Sequence, residues 1–294
     1  MLRLVKNDLR YHTFGRFFFA GAGVLGFIVL RLISGGPNVL YSEAFVYGLP
    51  YVCAVVMLSV GSEHSSGGFR NKAIAGYTKG RIFFAKIISS MICSSLLFMV
   101  MGVPLVFCMT TPHGPYFLFI YLMIYNFTAV VCACLVMLSG STVKGIIAVI
   151  LLFVFWTLIT EPVCDALAEP AYEVGYTIDY SRLDEEGVDG SMIPKKIDNP
   201  SAVGGILRGG LKVVCAMNPY VSIRFTDDVM SMYDGSTLEY YDFTHPEEDK
   251  YGELEANPRY NLFREFRYFP LWSLAGIVIT SGVGFIIIKR KELT

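Results

Sequence analysis

Long apolar runs separated by short polar passages organise this chain. A helix crossing about 30 Å of hydrocarbon needs about 20 mostly apolar residues. Six stretches meet or approach that length: Phe17–Ile33, Ala44–Val60, Ile82–Met109, Tyr116–Leu138, Val143–Leu158 and Phe269–Ile288. The first two are short, at 17 residues each, so tilt or interfacial flanks must complete those crossings. Phe17–Leu30 has the length of a signal-peptide core, but no clear small-residue cleavage site follows it and five more apolar runs do. A retained first helix is therefore expected. The pattern predicts an α-helical integral membrane protein with six transmembrane helices and a mixed extracytoplasmic domain between helices five and six. It divides into residues 1–16, an N-terminal interfacial helix; 17–160, helices one to five; 161–268, the polar domain; and 269–294, helix six with a basic tail.

Composition agrees: 54% of the 294 residues are hydrophobic and 17% charged, against about 25% charge in soluble domains. The overall charge of −1 hides a strong asymmetry. Residues 161–268 carry 21 acidic and ten basic side chains, a net −11, and the remainder carries 14 basic and four acidic, a net +10. Arg3, Lys6, Arg10 and Arg16 precede the first run. Arg70, Lys72, Lys79 and Arg81 lie between runs two and three, with Lys86 just inside run three. Lys144 and Lys289–Lys291 complete the set. Six crossings put all of these on one side, which the positive-inside rule makes cytoplasmic. The expectation is thus a multi-pass protein of the cytoplasmic membrane with both termini inside. Leu2, Val5 and Leu9 alternating with Arg3, Lys6 and Arg10 suggest an N-terminal helix lying on the inner leaflet.

Within the polar domain, Pro162, Pro170, Pro194 and Pro200 are expected to break structure in the first half. Ser201–Met217 is apolar but contains Arg208 and Lys212. It reads as an amphipathic helix on the outer surface rather than a seventh span, because a seventh crossing would carry the C-terminal basic cluster outside. The stretch Asp227–Tyr260 is tyrosine-rich and acidic.

The passage SEHSSGGFRNKAIAGYTKGR at positions 62–81 interrupts the apolar pattern on the cytoplasmic side. Phe69, Ala73 and Tyr77 recur every four residues, with Ile74 beside them, so one apolar stripe is expected on a short helix. Ser65 or Ser66 can cap its start, and Gly76 suits a left-handed C-terminal position. Arg70, Asn71 and Lys72 are expected on the opposite face. By itself the pattern describes an interfacial helix anchoring a loop.

The order Glu63, glycine, Arg70-Asn71-Lys72, Gly76-Tyr77, Lys79 and Arg81, then Ile82 and Lys86 resembles the permease subunits of type-2 ABC exporters. The Asn218-Pro219 pair after the amphipathic stretch resembles a feature before the last helix of such permeases. The resemblance implies six helices, cytoplasmic termini, a coupling helix between helices two and three, and the largest external segment between helices five and six. It also implies that Phe69–Tyr77 docks into a groove on a separate ATP-binding subunit, with Phe69, Arg70, Asn71, Lys72 and Tyr77 as contacts. Glu63 would brace the helix entry by pairing with a nearby base. A second permease copy, or a sister permease, would complete the path. ATP and Mg would belong to the partner subunit.

The chain itself has no G-x-x-x-x-G-K-[ST] sequence to cradle phosphates, and Gly140-Ser-Thr-Val-Lys144-Gly lacks the spacing. No carboxylate falls deep in a run, which disfavours an ion-coupled carrier. No catalytic, cofactor or metal constellation emerges. His12, His64, His113 and His245 are scattered, and His245 with Glu247, Glu248 and Asp249 reads as a solvated acidic loop. Asn126-Phe-Thr128 fits a glycosylation triplet but lies inside a run. Of seven cysteines, Cys53, Cys93, Cys108, Cys132 and Cys134 fall in apolar runs as small hydrophobes. Cys164 and Cys215 fall in the acidic window and form a candidate disulfide if that window is extracytoplasmic. Aromatics and Met91, Met99, Met101 and Met109 along run three suit an amphipathic or apolar cargo, or simple packing. The acidic domain suits cationic peptides at low salt. An exporter is therefore expected, with no role for nucleic acid. The alternative is a membrane receptor or scaffold whose external domain senses a ligand, such as an antimicrobial peptide, without transport.

Overall fold

A computed structural model describes residues 1–10, 15–34, 41–108, 114–168, 172–178, 192–198, 203, 205–224, 226 and 269–290. Its helices are α1 Leu2–Asp8, α2 Arg16–Ser34, α3 Tyr41–Ser65, α4 Gly68–Ile74, α5 Lys79–Cys108, α6 Gly114–Ser139, α7 Thr142–Ala168, α8 Gly205–Met217 and α9 Phe269–Arg290. Strands β1 Tyr172–Ile178 and β2 Met192–Asp198 pair antiparallel, Tyr172 opposite Asp198 and Ile178 opposite Met192.

Among the described residues, five helical stretches are long and apolar enough to cross a membrane: Ala44–Ser65, Lys79–Leu105, Pro115–Ser139, Thr142–Ala166 and Leu271–Arg290. The apolar part of α2, Phe17–Arg31, is shorter. The chain is a multi-pass α-helical membrane protein. Lipid offers no partner for backbone N–H and C=O groups, so the spanning segments satisfy them as helices. Side-chain hydroxyls turn back onto the same ladders, as Ser89 does to Lys86 O at 2.9 Å and Thr128 to Ile124 O at 2.8 Å.

Helix α6 is the central post, packed against α3, α5, α7 and α9. On its α3 side Tyr121 stacks on Phe45 with ring centroids 4.0 Å apart and 14° between planes. On its α5 side Asn126 and Ser95 exchange hydrogen bonds at 3.0 and 3.1 Å. Such polar ties bind helices where burial of apolar surface from water supplies no drive. The Asn126 triplet thus serves helix pairing, with the side chain buried. Helices α7 and α9 turn Ile150, Leu151, Leu158, Val278 and Ile279 outward, the composition expected of a lipid-facing surface.

The helices alternate in direction so that chemically alike ends meet. Thr142 at the start of α7 donates to Gly61 O near the end of α3 at 2.9 Å, and Phe285 near the end of α9 packs on Phe84 near the start of α5. The starts of α5 and α7 and the ends of α3, α6 and α9 therefore form one basic end of the bundle.

Several expectations are corrected. Pro162 does not break the chain, because α7 runs through it to Ala168. Pro194 lies within β2, opposite Tyr176, which a two-stranded ribbon tolerates because both strands are edges. Pro170, Pro200 and Asp227–Tyr260 lie outside the described residues. Along α5, Met101 is buried and Met99 exposed, and Met109 lies outside the described residues. The candidate pair Cys164 and Cys215 enter the same buried cluster as thiols.

Helix α8 begins at Gly205 and points Ile206, Leu207, Val213 and Met217 outward, with Arg208 and Cys215 turned in. Beyond it, buried Asn218 fastens the chain to α7. Its Nδ2 donates to Trp156 O at 2.9 Å and Thr160 Oγ1 at 3.3 Å, while its Oδ1 accepts from Tyr220 N at 3.0 Å and Val221 N at 3.4 Å. Asn218 thereby N-caps the helical stretch 219–224 ahead of Pro219, a favoured first helical residue.

Candidate functional site

The passage between α3 and α5 folds into a compact corner at the basic end. Gly67, with φ of +72°, lets the chain leave α3, and Gly76, with φ of +86°, closes α4. At that end Gly76 N donates to Ala73 O at 3.0 Å and Tyr77 N to Lys72 O at 3.1 Å. This paired pattern, with glycine in the left-handed conformation, satisfies carbonyls that a helix end leaves open. The start differs from expectation. Ser65 and Ser66 do not cap α4, because their hydroxyls donate back to Ser62 O and Glu63 O, both at 3.1 Å, in the last turn of α3.

The apolar stripe of α4 faces inward. Phe69 packs against the cluster built from α3, α5, α6 and α9, its ring edge-on to His64 at 5.7 Å. Tyr77, past the end of α4, packs against Leu4, Val5 and Ala85. Ile74 is left 74% exposed, on an outer surface shared with Arg70 and Asn71. Lys72 does not join them: residues two apart on a helix lie about 200° around its axis, so Lys72 turns back toward α3.

Lys72 Nζ there bonds both Asp8 Oδ1 and Glu63 Oε1. On the far side of Glu63, Lys86 Nζ lies 2.8 Å from Oε2 as an ion pair. Asp8, Glu63 and Lys86 are essentially without solvent exposure, and the Lys72 side chain keeps 16%. Two carboxylates and two ammonium groups from α1, α3, α4 and α5 thus form one electrically neutral, buried chain. Neutrality is what makes it tolerable, since a single unpaired charge there would carry the full cost of leaving water. Helix α1 lies against α5 with Leu4, Val5 and Asp8 inward and Leu2 outward, so it closes the network.

Burial works against the charge on Lys72, but the carboxylates of Glu63 and Asp8 outweigh it and hold the ammonium above its ordinary range. A raised folded-state value means the tie is at full strength below the ordinary lysine value of about 10.4 and weakens only as pH rises through the higher one. Thermal unfolding of the purified chain should therefore show no loss from this tie between about pH 7 and about pH 9. A midpoint that falls steeply across that interval in wild type, but not in Lys72→Met, would contradict it.

Among the described residues no group of three or more His, Cys, Asp or Glu side chains could hold a metal ion. His245 and its acidic neighbours lie outside them. Sequence reasoning placed Lys86 only at the end of the basic passage and did not bring Asp8 to this site, although Asp8 is the one acid before Glu43 and falls on the helix face of Leu4 and Val5. No family model, curated protein or solved structure matches the chain.

Proposed function

We propose that this chain is the permease subunit of an ATP-driven exporter of the type-2 ABC class, working with a separate ATP-binding subunit and a second permease copy or sister permease. The supporting observation is α4, a short helix whose inner face is joined by charge and packing to α1, α3 and α5 while Arg70, Asn71 and Ile74 face outward. In this reading α2 makes a sixth crossing, the basic end faces the cytoplasm, and residues 161–268 lie outside. The outward face of α4 lies in the groove of the ATP-binding subunit, Ile74 supplying the apolar anchor and Arg70 the orienting charge. ATP binding and hydrolysis in that subunit displace α4, and the bundle halves switch between inward-facing and outward-facing states. The net −11 of residues 161–268 favours a cationic, peptide-like or amphipathic cargo.

Phe69, Tyr77 and Lys72 support α4 from within, and the grip falls to Arg70, Asn71 and Ile74. Purification from membranes should bring down an ATP-binding subunit, and Ile74→Asp should weaken its retention about 30-fold, the loss of a central anchor worth about 2 kcal/mol. Wild-type retention of no ATP-binding subunit, or labelling of an Asn71→Cys variant from outside intact cells, would overturn the assignment in favour of a receptor or scaffold.

A further inference from the structure

A cavity of about 230 Å³ opens at the basic end, between α4 and the helix ends beside it. His64, Arg70 and Lys79 stand at its polar side, and Ile82, Phe83, Met137 and Ile288 form its apolar wall. Among the described residues no acidic side chain lines it. Among the described residues the acids near this corner, Asp8 and Glu63, are turned away into the buried network with Lys72 and Lys86, so the described lining is cationic and apolar. Its volume is below the roughly 300–1,000 Å³ that encloses a whole small-molecule ligand. It therefore suits a headgroup or the end of a chain.

We propose that this cavity is a binding site for an anionic phospholipid, the phosphodiester held by Arg70 and Lys79 with a ring N–H of His64 donating, and the adjoining acyl segment lying on Ile82 and Ile288. A cationic pocket between transmembrane helix ends is the arrangement that captures acidic headgroups. The guanidinium fork of Arg70 matches phosphate oxygens, and Lys79 adds a compact point charge. The apolar wall distinguishes a lipid from a free phosphate ester, which gains nothing from Met137 or Phe83. Arg70 also lies on the face proposed to meet the ATP-binding subunit, so the test uses the chain purified without that subunit.

The test is native mass spectrometry of the purified full chain taken from nanodiscs of phosphatidylcholine mixed equally with phosphatidylglycerol. Phosphatidylglycerol should be retained about tenfold over phosphatidylcholine, a preference worth about 1.4 kcal/mol. Arg70→Gln combined with Lys79→Gln should abolish the preference. Lys144→Gln, which removes an exposed cation at the same end of the bundle, should preserve it. Equal retention of the two lipids by the wild-type chain would overturn the proposal, as would a Lys144→Gln loss as large as that of the cavity pair. So would displacement of the lipid by millimolar inorganic phosphate, which would assign the site to a free anion.

Discussion

Glu63→Gln is expected to destabilise the chain by about 3–5 kcal/mol, the cost typical of stranding a buried charge. Glutamine preserves the shape of the side chain but removes the charge that faces two lysines. Lys72 still has Asp8, and its side chain keeps some solvent. Lys86 is 1% exposed and its ion pair is with Glu63, so the penalty concentrates there. Adding Lys86→Met should restore most of the loss, because replacing a buried pair by neutral groups of similar size is often close to neutral. Thermal unfolding in detergent reads both steps. A Glu63→Gln effect under about 1 kcal/mol, the range of solvated surface pairs, would show the corner to be hydrated and the network unimportant for stability.

Asn218→Ala should cost about 2–4 kcal/mol, combining a lost N-cap with buried acceptors left short of a donor. The comparison is Arg224, whose 2.7 Å pair with Glu161 joins the same two segments. Both of those side chains are more than half exposed, so Arg224→Ala should cost under about 1 kcal/mol. Asn218→Asp keeps the acceptor for Tyr220 and Val221 but loses the donor to Trp156 O and Thr160, and sets a carboxylate beside a carbonyl. It should be no milder than alanine. Unfolding midpoints rank the three variants, and an Asn218→Ala value equal to that of Arg224→Ala would show that the fastening lies elsewhere.

Five of the six expected runs were legible because apolar length encodes crossing length directly. Tyr116–Leu138 was expected and Gly114–Ser139 is helical; Ile82–Met109 was expected and α5 covers Lys79–Cys108. The end of α7 was misread by ten residues, since proline removes one ladder bond and costs helix stability without forbidding the helix when neighbouring elements hold it. At the corner, the spacing of Phe69, Ala73 and Tyr77 showed which residues share a face. It did not show what covers that face, and the chain itself covers it. Arg70, Asn71 and Lys72 were placed together because they adjoin in sequence, although 100° per residue separates them around a helix. The network was hidden for a different reason. Lys72 and Asp8 are 64 positions apart, and no local pattern connects one acid near the start of the chain to a lysine in a later turn.

A helix of seven residues has little rigidity of its own, yet α4 is not free to slide or roll. A load applied at Ile74 meets aromatic packing on one flank and two carboxylates on another. It passes through Glu63 to Lys86, which lies about 10 Å into α5 at 1.5 Å per residue. The corner is geared to the body of the bundle, so little displacement is lost as slack between the surface knuckle and the long helix behind it.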